Sequence, residues 1–350
     1  MDEEIDTASA EITQIARESE LCRRVGTVPG AGPVVSTVLI AAVGNGTAFK
    51  RARDMSALLG LVPKQYSTGG KSNLGGISKL AVADDLEGAI GRGEFELQYQ
   101  PQVELSSGNI IGMEALLRWH HSARGLIPPS EFMPIAERSG AMAGLSHWIL
   151  EQACRRMRAW RDEGVAPLMM AINLSLCELD SAGALVRDVT NTVAKWRPAP
   201  SDLEFDVTEA TLTRLAWAHN DVLRALREPG VKIAIDDFGS EFASLDYVSA
   251  YSVNHLKISR SITANATSET ASAEAICFIV DLARKAGIGV IAQGVETEQQ
   301  CLFLAQTNRA TKAQGFLFSK AVSATQAGEM LRRGGGASLD LTRACSARGE

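Results

Sequence analysis

Eight short apolar runs rich in β-forming residues alternate with helix-length amphipathic stretches between residues 95 and 318, and this rhythm limits the fold more than any other feature. The runs lie at residues 95–99, 110–115, 168–172, 203–207, 231–235, 253–258, 288–292 and 313–318. Between them, residues 146–163 carry Trp148, Ile149, Ala153, Met157 and Trp160 at helical spacing behind a cap at Ser146. Further helices are expected at 181–196, 217–227, 272–286 and 297–306. Helix-length crossovers return the chain to the same end of a sheet, so the strands they join run parallel. Eight such units over about 250 residues predict an α/β fold of the (β/α)8 TIM-like barrel type. The alternative, an open doubly wound sheet, needs a glycine fingerprint after an early strand, and none is present.

Composition agrees with a globular reading. The chain has 350 residues, 45% hydrophobic and 22% charged, enough to bury a core without disulfides or structural metal. A formal net charge of -6 argues against a chain-wide nucleic-acid surface. The cysteines at 22, 154, 177, 277, 301 and 345 form no Cys-x-x-Cys, so reduced thiols are expected. The start, Met1-Asp2-Glu3-Glu4, is the reverse of a signal peptide's basic one. The most apolar stretch, residues 32–44, is short of the roughly 20 residues that span a bilayer. A cytoplasmic protein with no membrane contact is expected.

In a barrel of this kind the site forms where the C-terminal ends of the strands meet. Six successive expected strands end in residues able to bind metal or phosphate: Glu114, Asn173, Asp206, Asp236-Asp237, Lys257 and Gln293. A seventh strand begins near Gln314. A single acid after a strand is ordinarily a helix cap. Capping does not place such residues at the same end of six strands, whereas a shared site does. Carboxylates with an amide oxygen suit hard divalent cations, and a pair of such ions supports phosphodiester hydrolysis.

These residues also carry a family resemblance. Glu114-Ala115-Leu116-Leu117-Arg118-Trp119 resembles the signature that names the EAL family. Around it stand Phe95-Glu96-Leu97-Gln98-Tyr99-Gln100-Pro101, Ile172-Asn173-Leu174-Ser175, Ile235-Asp236-Asp237-Phe238-Gly239, Leu256-Lys257-Ile258 and Gln314-Gly315-Phe316. The resemblance implies a modified barrel with one reversed strand, two Mg²⁺ or Mn²⁺ ions, and cyclic di-GMP opened to linear pGpG. It also implies a homodimer through the barrel. Carried over, Glu114, Asn173, Asp206, Asp236 and Asp237 would be metal ligands. Gln100, Arg118, Glu296 and Gln314 would hold the dinucleotide, and Lys257 would position the attacking water.

The sequence departs from that pattern inside the site. The family's Ala-Glu-Gly-Val-Glu reads Ala292-Gln293-Gly294-Val295-Glu296, so the proposed general base is a glutamine. Glutamine cannot take a proton near neutral pH, and general-base help is typically worth about 10²- to 10⁴-fold. The family's Glu-x-Thr-Glu reads Asp206-Val207-Thr208-Glu209, with a shorter carboxylate. Asp-Asp-Phe-Gly-Thr-Gly reads Asp236-Asp237-Phe238-Gly239-Ser240-Glu241, Leu-Lys-Ile-Asp ends in Ser259, and the proline usual near the last strand is Ala321. These changes predict a degenerate copy that binds cyclic di-GMP with weak or no turnover. The competing expectation is a genuine, slow phosphodiesterase that uses water or Glu296 in place of the base.

Ahead of the barrel, residues 21–79 resemble the C-terminal part of Piv-like insertion-sequence transposases. The matching residues are Val28-Pro29-Gly30-Ala31-Gly32-Pro33, Ala57-Leu58-Leu59-Gly60-Leu61-Val62-Pro63, Ser67-Thr68-Gly69-Gly70-Lys71 and Gly75-Gly76-Ile77-Ser78-Lys79. Pro29 to Pro33 suits a helix-hairpin-helix turn whose backbone N–H groups meet a DNA phosphate, or a helix start with no ligand. Gly70-Lys71-Ser72 is not a P-loop, since Gln65 stands where that motif needs glycine. The expected organisation is a transposase-like remnant at 1–80, an EAL barrel at 81–333 and a flexible tail at 334–350. DNA bound through 1–80 is the third functional reading.

Overall fold

The computed structural model describes residues 85–86, 88–165, 168–180, 182–215, 220–239, 253–306 and 312–333. Strands β1 (Phe95–Glu104), β2 (Ile110–His121), β3 (Gly125–Ile127), β4 (Met169–Asn173), β5 (Leu203–Thr208), β6 (Lys232–Phe238), β7 (His255–Ile258), β8 (Gly289–Ala292) and β9 (Lys312–Ala313) form one sheet. Its order is β1-β9-β8-β7-β6-β5-β4-β2-β3, and β1 also pairs with β2, so eight strands close a ring and β3 lies outside it. β1 runs antiparallel to both β2 and β9, whereas the pairs from β2–β4 round to β8–β9 are parallel. The fold is the modified barrel with one reversed strand that the family resemblance implies.

The helices are α1 (Pro129–Ser139), α2 (Met142–Asp162), α3 (Leu176–Asp180), α4 (Ala182–Trp196), α5 (Glu209–Leu215), α6 (Asn220–Arg227), α7 (Arg260–Asn265), α8 (Thr270–Ala286), α9 (Glu298–Gln306) and α10 (Ala324–Arg332). The sequence reading starts α2 at Ser146, and the structure corrects this by a full turn. Gly140 ends α1 with φ 80°, and Met142 and Leu145 already belong to the buried stripe that continues through Ile149, Ala153, Met157 and Trp160. Ser146 is thus interior to the helix. The outward faces of the strands pack on these helices through Phe205, Val207, Ile233, Ile235, Leu256 and Ile258, all buried. Among the described residues, no helix is long and apolar enough to cross a membrane.

The last strand is shorter than expected. β9 ends at Ala313, and residues 314–318 turn instead of extending the ladder. At Gly315 the chain passes close against Val295: a Cβ there would lie 2.1 Å from the Val295 carbonyl oxygen. Only glycine lets the two backbones pack so closely. Glu114 also proves to be mid-strand. β2 pairs with β4 only over residues 112–115, and beyond them it continues as a hairpin with β1 and β3.

Residues two apart on a strand share a face. In this barrel the inward positions are unusually polar. β1 sends in Gln100 and Gln102, β5 Glu204 and Asp206, and β7 His255 and Lys257; apart from half-buried Gln100, all of these are buried. An apolar lumen would be a plain packed core. A lumen of paired charges and amides is a built site.

Candidate functional site

The register brings the polar ends together. Gln100 faces Glu114 across β1–β2, Asn173 faces Asp206 across β4–β5, and Thr208 faces Asp236 across β5–β6. β6 has an irregular register between Ile235 and Phe238, opposite β7, at the Asp236-Asp237 pair. Successive strand residues normally point to opposite faces, and a bulge relaxes that rule. Asp237 takes φ 53°, in the left-handed region that a β-carbon disfavours. Its carboxylate reaches the cavity wall, while Asp236 is buried beneath.

One wall of the site is an amide–carboxylate network. Asn173 Nδ2 donates to Glu114 Oε1 at 2.9 Å, and Gln314 Nε2 donates to Glu114 Oε2 at 2.6 Å. Gln314 Nε2 also lies 2.9 Å from Gln100 Oε1, and Gln100 Nε2 donates to the Ser319 carbonyl at 3.0 Å. Arg118 Nε donates to Gln98 Oε1 at 3.0 Å, which aims the guanidinium along the inner face of β1.

The opposite wall holds the charges. Lys257 and Asp206 form a wholly buried ion pair. Burial pulls the Lys257 ammonium down, but the carboxylates of Asp206, Glu114, Asp236 and Glu204 outweigh it and hold Lys257 above its ordinary value. Gln293 Nε2 donates to Asp236 Oδ1 at 2.8 Å. Burial pushes the Asp236 carboxyl up to about 6; Lys257 opposes that shift, and Glu114 and Asp237 reinforce it. Asp237 is raised as well, first by burial and then by Glu114. Ser259 is buried, its Oγ 2.9 Å from Ser261 Oγ at the start of α7. Gly239 N donates to Glu209 Oε2 at 2.9 Å, anchoring the end of β6. Ser240 and Glu241 lie outside the described residues.

Above these residues opens a cavity of about 550 Å³. Glu114, Gln100, Arg118, Asp237, Gln293, Glu296 and Gln314 line it, whereas Asp206, Asp236 and Lys257 are buried beneath it and Asn173, exposed at the end of β4, does not line it. Glu296 is at the rim, paired with Arg260. Ala321 lines the cavity too. Among the other lining residues, Gln98 and Phe316 enter the sequence reading only inside motifs and without a role, and Arg260 and Lys320 not at all. Gln98 was within reach, being two positions from Gln100 on the same face of β1. Phe316 is 53% exposed, with Arg260 and Lys320 over its ring at 5.8 and 5.5 Å, a packing that sequence spacing does not show.

Comparison with known proteins assigns this arrangement. The EAL domain profile matches residues 83–321. The chain belongs to the EAL family. A curated relative of this EAL chain is the bifunctional diguanylate cyclase/cyclic di-GMP phosphodiesterase MucR of Pseudomonas aeruginosa, 39% identical over 71% of the chain and 36% of the relative. The cyclic di-GMP phosphodiesterase NbdA of the same organism is 34% identical over 73% of the chain and 32% of its own length. The EAL chain therefore spans about a third of these relatives. Among solved structures, the PaMucR phosphodiesterase in complex with c-di-GMP is 39% identical, with a TM-score of 0.67 over 71% of this chain and 99% of that one. Residues 22–83 match the transposase IS116/IS110/IS902 family, adjoining the EAL match.

The oxygen donors of the EAL site suit a hard divalent cation. Asp206 Oδ1 is buried with no hydrogen-bond partner, the state of an acceptor that a cation would satisfy. Among the described residues, no three His, Cys, Asp or Glu side chains gather closely enough to form a metal cluster. A site here would therefore draw on the Asn173 amide oxygen besides its carboxylates.

Proposed function

We propose that this chain is an EAL-type receptor for cyclic di-GMP whose hydrolysis is weak or absent. The observation that carries the reading is the hydrogen bond from the Gln293 amide to Asp236. A carboxylate at position 293 would be a proton acceptor beside the site; the amide is a neutral donor turned toward a would-be ligand. The binding half of the reading rests on the other wall. Arg118, Gln100 and Gln314 present a cation and amides along one side of the cavity, the chemistry that holds a phosphodiester and its bases. Glu296, at the rim, is placed to accept from a guanine edge once it leaves Arg260.

Glu114, Asn173, Asp206, Asp236 and Asp237 would hold two Mg²⁺ or Mn²⁺ ions, which when bound supply Lewis acidity and neutralise charge on the phosphoryl oxygens. Lys257, fixed on Asp206, would hold a water or phosphate oxygen from below. With Gln293 in the base position, no residue there removes the water's proton. A second reading, slow but real turnover, is favoured by Glu296, a carboxylate on the same cavity that could act through a water.

The decisive experiment incubates purified protein with cyclic di-GMP and Mg²⁺ or Mn²⁺ and measures pGpG and binding together. Binding without pGpG is expected. Turnover at an ordinary enzyme rate would sink the receptor reading. We also read residues 1–80, 81–333 and 334–350 as the transposase-like remnant, the barrel domain and a flexible tail. Silence in both assays would turn attention to DNA and residues 41–80, whose sequence has six basic residues and one acid, Asp54.

A further inference from the structure

Beneath the Asp206–Lys257 pair the barrel carries a second rung. Glu204 lies two residues before Asp206 on the same face of β5, and His255 two residues before Lys257 on the same face of β7. Glu204 is wholly buried: one carboxylate oxygen bonds His255 Nδ1, and the other, Oε1, has no partner. His255 Nε2 is 2.8 Å from Lys312 Nζ on β9. A lysine ammonium only donates, so Nε2 accepts from it and Nδ1 carries the proton given to Glu204. Both imidazole nitrogens are committed. The ring fits because residue 289 on β8 is glycine, where a Cβ would come within 2.5 Å of His255 Cδ2.

This rung presents Lys257 with two destinations. Its buried ammonium feels Glu204 as well as Asp206. Moving toward Glu204 would draw it to the N-terminal end of the strands, away from the cavity, and the vacant Oε1 would receive it. A carboxylate that already accepts from His255, with Lys312 beyond, attracts the ammonium less than a bare one.

We propose that Glu204, His255 and Lys312 are positioning residues, in which the imidazole occupies Glu204 so that the Lys257 ammonium stays on Asp206 beneath the cavity. This rests on the reading of Lys257 as a site residue. The test uses the whole chain with His255→Phe, Glu204→Gln, the double variant, His255→Gln and Gly289→Ala. Crystal structures of the variants and calorimetry with cyclic di-GMP are the readouts. In His255→Phe, Nζ is expected to leave Asp206 for Glu204, with binding weakened about tenfold or more. Adding Glu204→Gln removes the competing acceptor and should return Nζ to Asp206 and binding to near the wild-type value. His255→Gln keeps a donor and should rescue likewise. Should His255→Phe fail to fold, Gly289→Ala displaces the ring with every charge retained and should give the same shift of Nζ. A lysine that remains on Asp206 in His255→Phe or Gly289→Ala overturns the proposal, as does a double variant that binds worse than either single one. If the wild-type chain binds no cyclic di-GMP, the receptor reading fails while the position of Nζ still decides this one.

Discussion

The two walls of the site differ in kind. On the β1, β2, β4 and β9 side, Gln100, Glu114, Arg118, Asn173 and Gln314 match the EAL pattern; Gln100, Glu114, Asn173 and Gln314 share one hydrogen-bond network, and Arg118 is held beside it by Gln98. On the β5 to β8 side, three departures cluster at Asp206, Ser259 and Gln293 around the buried ion pair. On the proposed reading, the first wall's contacts to the dinucleotide and the missing base at Gln293 lie on separate strands, so a change at Gln293 can leave the first wall's network intact.

The comparison breaks most directly at Gln293. If the second wall lacks only its base, Gln293→Glu should raise pGpG formation by up to about 10²- to 10⁴-fold while cyclic di-GMP affinity changes little. Unchanged hydrolysis in a variant that still binds would move the defect to Asp206 or Ser259. Next in size is Asp206→Asn, which leaves the Lys257 ammonium buried and unmatched. It should cost about 3–5 kcal/mol in denaturant unfolding. A loss below 1 kcal/mol would show that water or a neighbouring carboxylate takes the ammonium over.

On the first wall, Arg118→Ala should weaken cyclic di-GMP binding by about 10- to 100-fold, the worth of charge-assisted hydrogen bonds. Calorimetry that finds equal affinity would remove this wall's claim to recognition. The smallest effect lies outside both walls, at Glu94, which accepts from Arg92 and from the Trp119 indole at 3.0 Å. Those partners, Arg92 first, hold its carboxyl well below the ordinary 4.5. A depressed folded-state value contributes stability that is present above about pH 4.5 and lost as the pH falls through it. Glu94→Gln should therefore lower Tm modestly at neutral pH and leave the acid end nearly unaffected, flattening the acid side of a Tm-against-pH curve.

Much of this barrel could be read from its residues because the strand signal is physical. Apolar β-formers face the helices on one side of each strand and polar groups enter the lumen on the other, so runs such as Leu203 to Val207 mark both fold and site. The reading fails where backbone fit overrides pattern. Phe316 to Phe318 look strand-like, yet the chain turns there, with Gly315 packed against Val295. α1 is obscured by an internal proline, Pro134, and β3 is only three residues long. Within the site, residues of fixed strand register could be placed from sequence. Arg260 and Lys320 could not, because Arg260 opens the short helix α7 and Lys320 follows the turn after β9, where no periodicity encodes direction.

The reversed strand has a mechanical consequence. β1 is matched to β2 at nine positions but to β9 only through Val103–Ala313 and Glu104–Lys312, with Tyr99 and Val322 adding an isolated bridge. The cylinder therefore has a seam, and the seam runs beside the first wall. Gln100 and Gln314 stand on its two lips and already touch across it. A ligand gripped by both lips would act as a clasp, and its first signature would be slowed amide exchange at Ala313 and Val322 with no change of shape elsewhere.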